Sequence, residues 1–206
     1  PDAMGTAAHE VAHALAGGPD AFGYTWIDSL EPGGPTFSWT TGTGQVNVPS
    51  TGSAPVNLPF DWTFYGVSYG QVSVGDDGLL HFGGAYPGGL SSCLPSLSVP
   101  SIAPFWDPWE SGAGMVRTRL LGPASARVFV VSYEGVVHAL TQEAASFQVV
   151  FFETGALEVH YLDADVGGAA AFGGTASVGI DSGTGDGLSV SCAQPSLDNG
   201  YALRFE

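Results

Sequence analysis

From residue 22 to residue 205, apolar and polar side chains alternate with a period of two, and Gly, Pro, Asn or Asp clusters interrupt the alternation about every 8–12 residues. A pleated strand sends successive side chains to opposite faces, so this pattern builds half-buried extended chain and not helix. The clearest stretch is 147–152, then Glu153-Thr154-Gly155, then 156–161. There Leu157, Val159 and Tyr161 share one face while Glu158 and His160 share the other, which predicts a hairpin with one solvated face. Val116, Thr118 and Leu120 alternate likewise with Arg117 and Arg119, and Tyr201, Leu203 and Phe205 with Arg204 and Glu206. Further strands are expected at 22–27, 37–40, 60–65, 71–74, 79–82, 102–105, 128–133, 176–180 and 188–190. About a dozen strands of this length predict an all-β fold, an antiparallel two-sheet β-sandwich of jelly-roll-like kind. Wide loops are expected over 87–100 and 167–174, the latter too rich in Gly and Ala to pack tightly.

Residues 1–19 break the pattern. Positions 6–16 hold strong helix formers, with Thr6 as an N-cap and Gly17-Gly18 as a stop. A helix that short is marginal alone in water, so 1–19 is expected to be a short helix or flexible leader ahead of a domain at 20–206. Ala7, His9, Val11, His13 and Leu15 also alternate, which would let the segment act as a donated strand.

Composition supports one core: 206 residues, 44% hydrophobic and 12% aromatic, suit a single sandwich. The net charge of −16 comes from missing bases: there is no Lys, and the cations are Arg117, Arg119, Arg127 and Arg204. Binding to nucleic acid or an anionic leaflet draws on Lys and Arg, so both are excluded as partners. The longest strictly apolar runs, such as 128–131 and 149–152, have four residues, far short of the ~20 of a membrane-spanning helix. No charged and then apolar leader is present, as expected where an export signal is absent or removed. Cys93 and Cys192 lie in Ser-rich, turn-like surroundings, and a disulfide between them is expected of an exported chain.

His9-Glu10-Val11-Ala12-His13 is a His-Glu-x-x-His string. On a helix its two imidazoles share a face and could hold zinc, with Glu10 activating a bound water. The flanking residues resemble the zinc helix of matrixin-type metalloproteases over about ten positions. Ala16 stands where that family has Gly, Pro19 where it has its third ligand, and Asp20 is out of register by one. Only eight residues precede His9, too few for the family's substrate-binding sheet. The expectation is therefore a non-enzyme, with an accessory domain of a zinc metalloprotease as one alternative.

A second set of motifs runs along the sandwich. Pro59-Phe60, Phe64-Tyr65-Gly66 and the stretch Val72-Ser73-Val74-Gly75-Asp76-Asp77-Gly78-Leu79-Leu80-His81-Phe82 come first. Ile102-Ala103-Pro104-Phe105-Trp106-Asp107-Pro108-Trp109 and Phe147-Gln148-Val149-Val150-Phe151-Phe152 follow. In this order they resemble the NIDO extracellular domain of nidogen and similar bacterial secreted modules, over about residues 20–205. The resemblance implies a secreted or surface-attached, non-catalytic module of adhesion or matrix proteins and brings no catalytic residues. Its expected partner is an extracellular protein or glycan, copies of the chain itself included.

Asp76-Asp77-Gly78 reads as a hairpin turn, and Phe105, Trp106 and Phe151 as core. Asp76, Asp77 and Asp107, with Glu110, Asp163, Asp165, Asp181 and Asp186, could instead converge on calcium, although no EF-hand spacing is present. No cofactor is otherwise expected. A lectin-like alternative would stack Trp39, Trp62 or Trp109 on a sugar ring.

Overall fold

A computed structural model describes residues 16–110 and 114–206. The His-Glu-x-x-His string and, but for Ala16, the expected helix lie outside the described residues. The strands are β1 (Ala16–Gly17), β2 (Trp26–Asp28), β3 (Gly44–Val46), β4 (Ser53–Phe64), β5 (Val67–Gly75), β6 (Leu80–His81) and β7 (Ser101–Trp106). They continue as β8 (Met115–Leu121), β9 (Val128–Val137), β10 (Ala144–Phe152), β11 (Leu157–Asp163), β12 (Ser177–Asp181), β13 (Gly187–Cys192) and β14 (Tyr201–Phe205). All pairings are antiparallel, in an eight-stranded sheet β1-β2-β14-β11-β10-β9-β8-β3 and a six-stranded sheet β13-β12-β7-β6-β5-β4. The fold is the expected two-sheet sandwich.

Alternation along each strand fills the space between the sheets. On β4, Ala54, Val56, Leu58, Phe60, Trp62 and Phe64 are buried while Pro55, Asn57, Asp61 and Thr63 are exposed. The opposing sheet supplies Tyr133, Phe147, Val149, Phe151, Val159 and Tyr161. Trp62 stacks on Phe64 at 5.3 Å and meets Phe151 edge-on at 5.0 Å, so aromatic contacts join the two layers. The β4–β5 hairpin closes through Tyr65 (φ 46°) and Gly66 (φ 74°), the positive pair that a two-residue hairpin turn requires. Gly66 takes this conformation freely. Tyr65 does not, and its hydroxyl is anchored by donating to Asp20 Oδ2 at 2.9 Å.

Several expectations are corrected. Residues 37–40 form no strand, and of 22–27 only the end belongs to β2. Segment 167–174 does pack: it holds a 3₁₀ turn, Gly168–Gly173, with Ala170 and Gly173 buried and the Phe172 carbonyl accepting from the N–H groups of Ser196 and Leu197. Leu120 is half exposed, because it lies past the last β3 register pair, Gly44↔Thr118. The polar face of the β10–β11 hairpin is not solvated. Gln148, Glu158 and His160 are all buried.

What buries them is residues 34–43, an extended strap that crosses the outer face of the eight-stranded sheet on its way from β2 to β3. Its N–H groups at alternate residues meet side chains from three successive strands. Ser38 donates to His160 Nδ1 (3.0 Å, β11), Thr40 to Gln148 Oε1 (3.1 Å, β10) and Gly42 to Glu134 Oε1 (2.9 Å, β9). Gln148 Nε2 returns a bond to the Ser38 carbonyl at 2.9 Å. Two extended residues advance about 6.6 Å against about 4.8 Å between strands, so an oblique crossing keeps one N–H per strand. At the far end a Cβ on Gly42 would stand 2.3 Å from Arg117 Cβ, so only glycine lets the strap lie this close.

The outer face of the other sheet is covered differently. Residues 83–100 lay Leu94 and Leu97 onto Leu79, Ala103 and Trp106. The expected disulfide joins Cys93 in this cover to Cys192 at the end of β13, with Cα atoms 5.2 Å apart.

Candidate functional site: the cleft beside Trp109

The acidic residues singled out in the sequence are mostly absorbed by the fold. Asp76-Asp77-Gly78 is the β5–β6 hairpin turn. Asp77 is buried and accepts from the Leu79 N–H at 3.1 Å and from the Trp106 indole at 2.9 Å. Burial pushes its carboxyl above the ordinary aspartate value, against the pull of these bonds. Asp107, also buried, accepts from the Thr175 hydroxyl at 2.7 Å and lies 3.4 Å from His138 Nε2, which is off line for a hydrogen bond. Burial raises its carboxyl as well. Asp181 accepts from the N–H groups of Ser96 and Leu97, holding the 83–100 cover. Among the described residues no three His, Cys, Asp or Glu side chains are grouped to hold a metal ion.

Each described histidine has its own setting. His81 contacts Ser53 Oγ through Nε2 and the Gly83 carbonyl through Nδ1, both at 3.1 Å, which pins β4 to β6. Burial depresses its basicity. His138 Nδ1 contacts the Thr141 hydroxyl at 3.2 Å, and His160 belongs to the strap. Of the three tryptophans considered for sugar stacking, Trp62 and Trp109 are 1% and 7% exposed, so neither presents a ring face to solvent. Trp39 is half exposed on the strap.

Trp109 has another role. With Tyr133 it lines a cleft of about 240 Å³ between β3, the β5–β6 turn and the start of β8. Val46 and Val48 form an aliphatic wall, and the carboxylates of Asp76 and Glu110 also line it. Trp109 is fixed by its indole bond to the Phe105 carbonyl (3.2 Å) and by edge-on packing with Phe105 (4.9 Å). Tyr133 is fixed by its hydroxyl bond to the Gly75 carbonyl (2.9 Å). Asp76 Oδ1 accepts from Gly52 N–H and the Tyr86 hydroxyl, and Glu110 Oε1 accepts from Gln142 Nε2. Neither acid makes an ion pair among the described residues.

The four arginines make their contacts elsewhere. Arg127 grips Glu153 and the Pro59 carbonyl, Arg204 pairs with Glu158, Arg117 lies 3.6 Å from Glu134, and Arg119 donates to the Thr41 carbonyl. Arg127 in turn holds the Glu153 carboxyl down to about 2. Alternation alone could not reveal the cleft, because Val46 and Val48 precede β4 by a loop and meet Trp109 only through the β3–β8 pairing. Asp76 and the aromatic pair were visible as residues; their convergence was not.

No curated protein and no solved structure matches the chain. Among the described residues no helix is long and apolar enough to cross a membrane. The motifs noted in the sequence occupy the framework: Phe64-Tyr65-Gly66 closes the β4–β5 hairpin, Ile102 to Trp106 lie in β7, and Phe147 to Phe152 lie in β10. A family model described as NIDO related matches residues 30–202, from shortly before the strap into the last strand, so the chain belongs to the NIDO-related family.

Proposed function

We propose that this chain is a non-catalytic extracellular binding module that receives a basic side chain of a partner protein in the cleft beside Trp109. The observation that carries the reading is the pairing of two carboxylates that make no ion pair among the described residues, Asp76 and Glu110, with an aromatic and aliphatic lining. A Lys or Arg side chain has a matching division, an apolar stem and a charged head. The net charge of −16 would steer such a partner toward the surface. Family membership and the Cys93–Cys192 disulfide support an oxidising, extracellular setting.

Self-assembly by strand addition is the weaker reading at the long β4 edge. Pro55, Pro59 and the exposed Asp61 lie on that strand, and proline and charge are the usual guards of an open edge. The test is NMR titration with N-acetyl-lysine amide and N-acetyl-arginine amide. Chemical-shift changes confined to Trp109, Val46, Val48 and Val116, and abolished in Asp76→Asn/Glu110→Gln, are expected. No localised change up to solubility would end the proposal.

A further inference from the structure

The strap over the eight-stranded sheet contains no titratable side chain, for residues 34–43 read Gly-Pro-Thr-Phe-Ser-Trp-Thr-Thr-Gly-Thr. Its hold on the sheet is nevertheless partly titratable. Of the three side chains that accept its N–H groups, Gln148 never ionises, Glu134 is a carboxylate, and His160 is an imidazole whose two nitrogens are both committed. Nδ1 takes the Ser38 N–H at 3.0 Å, so it must offer its lone pair. Nε2, 2.9 Å from Glu158 Oε2, must therefore carry the proton and donate it. The site specifies one neutral tautomer.

The groups around the ring keep that specification sharp. From its own strand, Glu158 faces Nε2, and from β14 Arg204 binds the other Glu158 oxygen at 2.8 Å. From β10 comes uncharged Gln148, the register partner of His160, and from β14 its other register partner is Ala202. From the strap come the Ser38 backbone and the Phe37 ring, whose centroid is 5.9 Å away. Next along the face, Glu134 and Arg117 attend to each other. Burial pushes the Glu158 carboxyl up, but the bonds from His160 and Arg204 outweigh it and leave it below the ordinary glutamate value. Glu158 thus stays anionic in mild acid. A second proton on the ring has one place to go, Nδ1, where it confronts the Ser38 N–H.

We propose that the strap is an acid-released latch with His160 as its trigger: protonation of Nδ1 turns an acceptor into a donor, breaks the Ser38 contact and frees the strap above β11. Gln148 still holds Thr40, so release begins at Ser38 and spreads from there. The inference concerns residues that do not line the Trp109 cleft and is independent of the binding proposal.

Residue-resolved amide exchange by NMR between pH 8 and pH 4.5, corrected for the intrinsic pH dependence of exchange, tests it in the intact chain. Protection of Ser38 should fall by about tenfold toward acid, the equivalent of one lost hydrogen bond, ahead of Thr40. His160→Asn keeps an acceptor near Nδ1 and does not titrate, so its Ser38 protection should stay flat. Ring ¹⁵N shifts of the unmutated protein give a second reading that needs no variant, and at pH 8 they should report the Nε2-protonated tautomer. An Nδ1-protonated ring, or Ser38 and Thr40 amides whose protection falls together or not at all, would overturn the proposal.

Discussion

The two sheets of this sandwich each carry a cover on the outer face, and the covers are fastened mainly by different means. Residues 83–100 lie over the six-stranded sheet with Leu94 and Leu97 on Leu79, Ala103 and Trp106, a disulfide ties them to β13, and Asp181 holds the Ser96 and Leu97 N–H groups. Residues 34–43 lie over the eight-stranded sheet on buried polar groups, and each hydrogen bond there has one required geometry. Hydrophobic burial is non-directional and indifferent to protons. A ladder of side-chain acceptors is directional, and it fails one member at a time. Reductant should therefore loosen the first cover and leave the second, which holds no disulfide, in place.

The largest effect expected is on the disulfide side. Cys93→Ser/Cys192→Ser removes a link between residues 99 apart, at a cost of about 2–5 kcal/mol. Urea unfolding measures the loss, and exchange at Ser38, Thr40 and Gly42 under native conditions should not change. Faster exchange at the strap would mean that the covers are coupled.

A smaller effect is expected from Gln148→Ala, which strands the Thr40 N–H and the Ser38 carbonyl and should cost about 1–3 kcal/mol. The loss should appear at the strap and leave the environment of Trp106 unchanged. Equal loosening of both covers would sink the contrast.

The smallest effect is a pH dependence. Glu158 is depressed in the folded state, so its contribution is fully present above the unfolded-state value near 4.5 and is lost as pH falls through the lowered folded value. Below that point the stability difference between the unmutated chain and Glu158→Gln should shrink. A difference that keeps its size there would contradict the assigned ion pair.

Much of the framework was legible. The alternation of Leu157, Val159 and Tyr161 against Glu158 and His160 fixed the strand, its turn and its inward face. The same alternation misled about the other face, because a polar side chain facing outward looks the same whether water or a strap lies above it. Residues 37–40 illustrate why: Phe37 and Trp39 alternate with Ser38 and Thr40 as in a strand, yet the Ser38 and Thr40 N–H groups go to side chains instead of to a neighbouring ladder. Trp109 and Asp76 were noticed singly, but only the β3–β8 pairing and the β5–β6 turn bring them to one cleft.

The commitment of all four arginines has a consequence for durability. Trypsin-like proteases cut after Lys or Arg in chain that can be drawn into an active site as an accessible extended segment. This protein has no Lys, and Arg117, Arg119 and Arg204 lie within paired strands, while Arg127 is clamped to Glu153 at the entrance to β9. As long as the sandwich stays folded, an entire class of digestive enzymes finds no purchase on it.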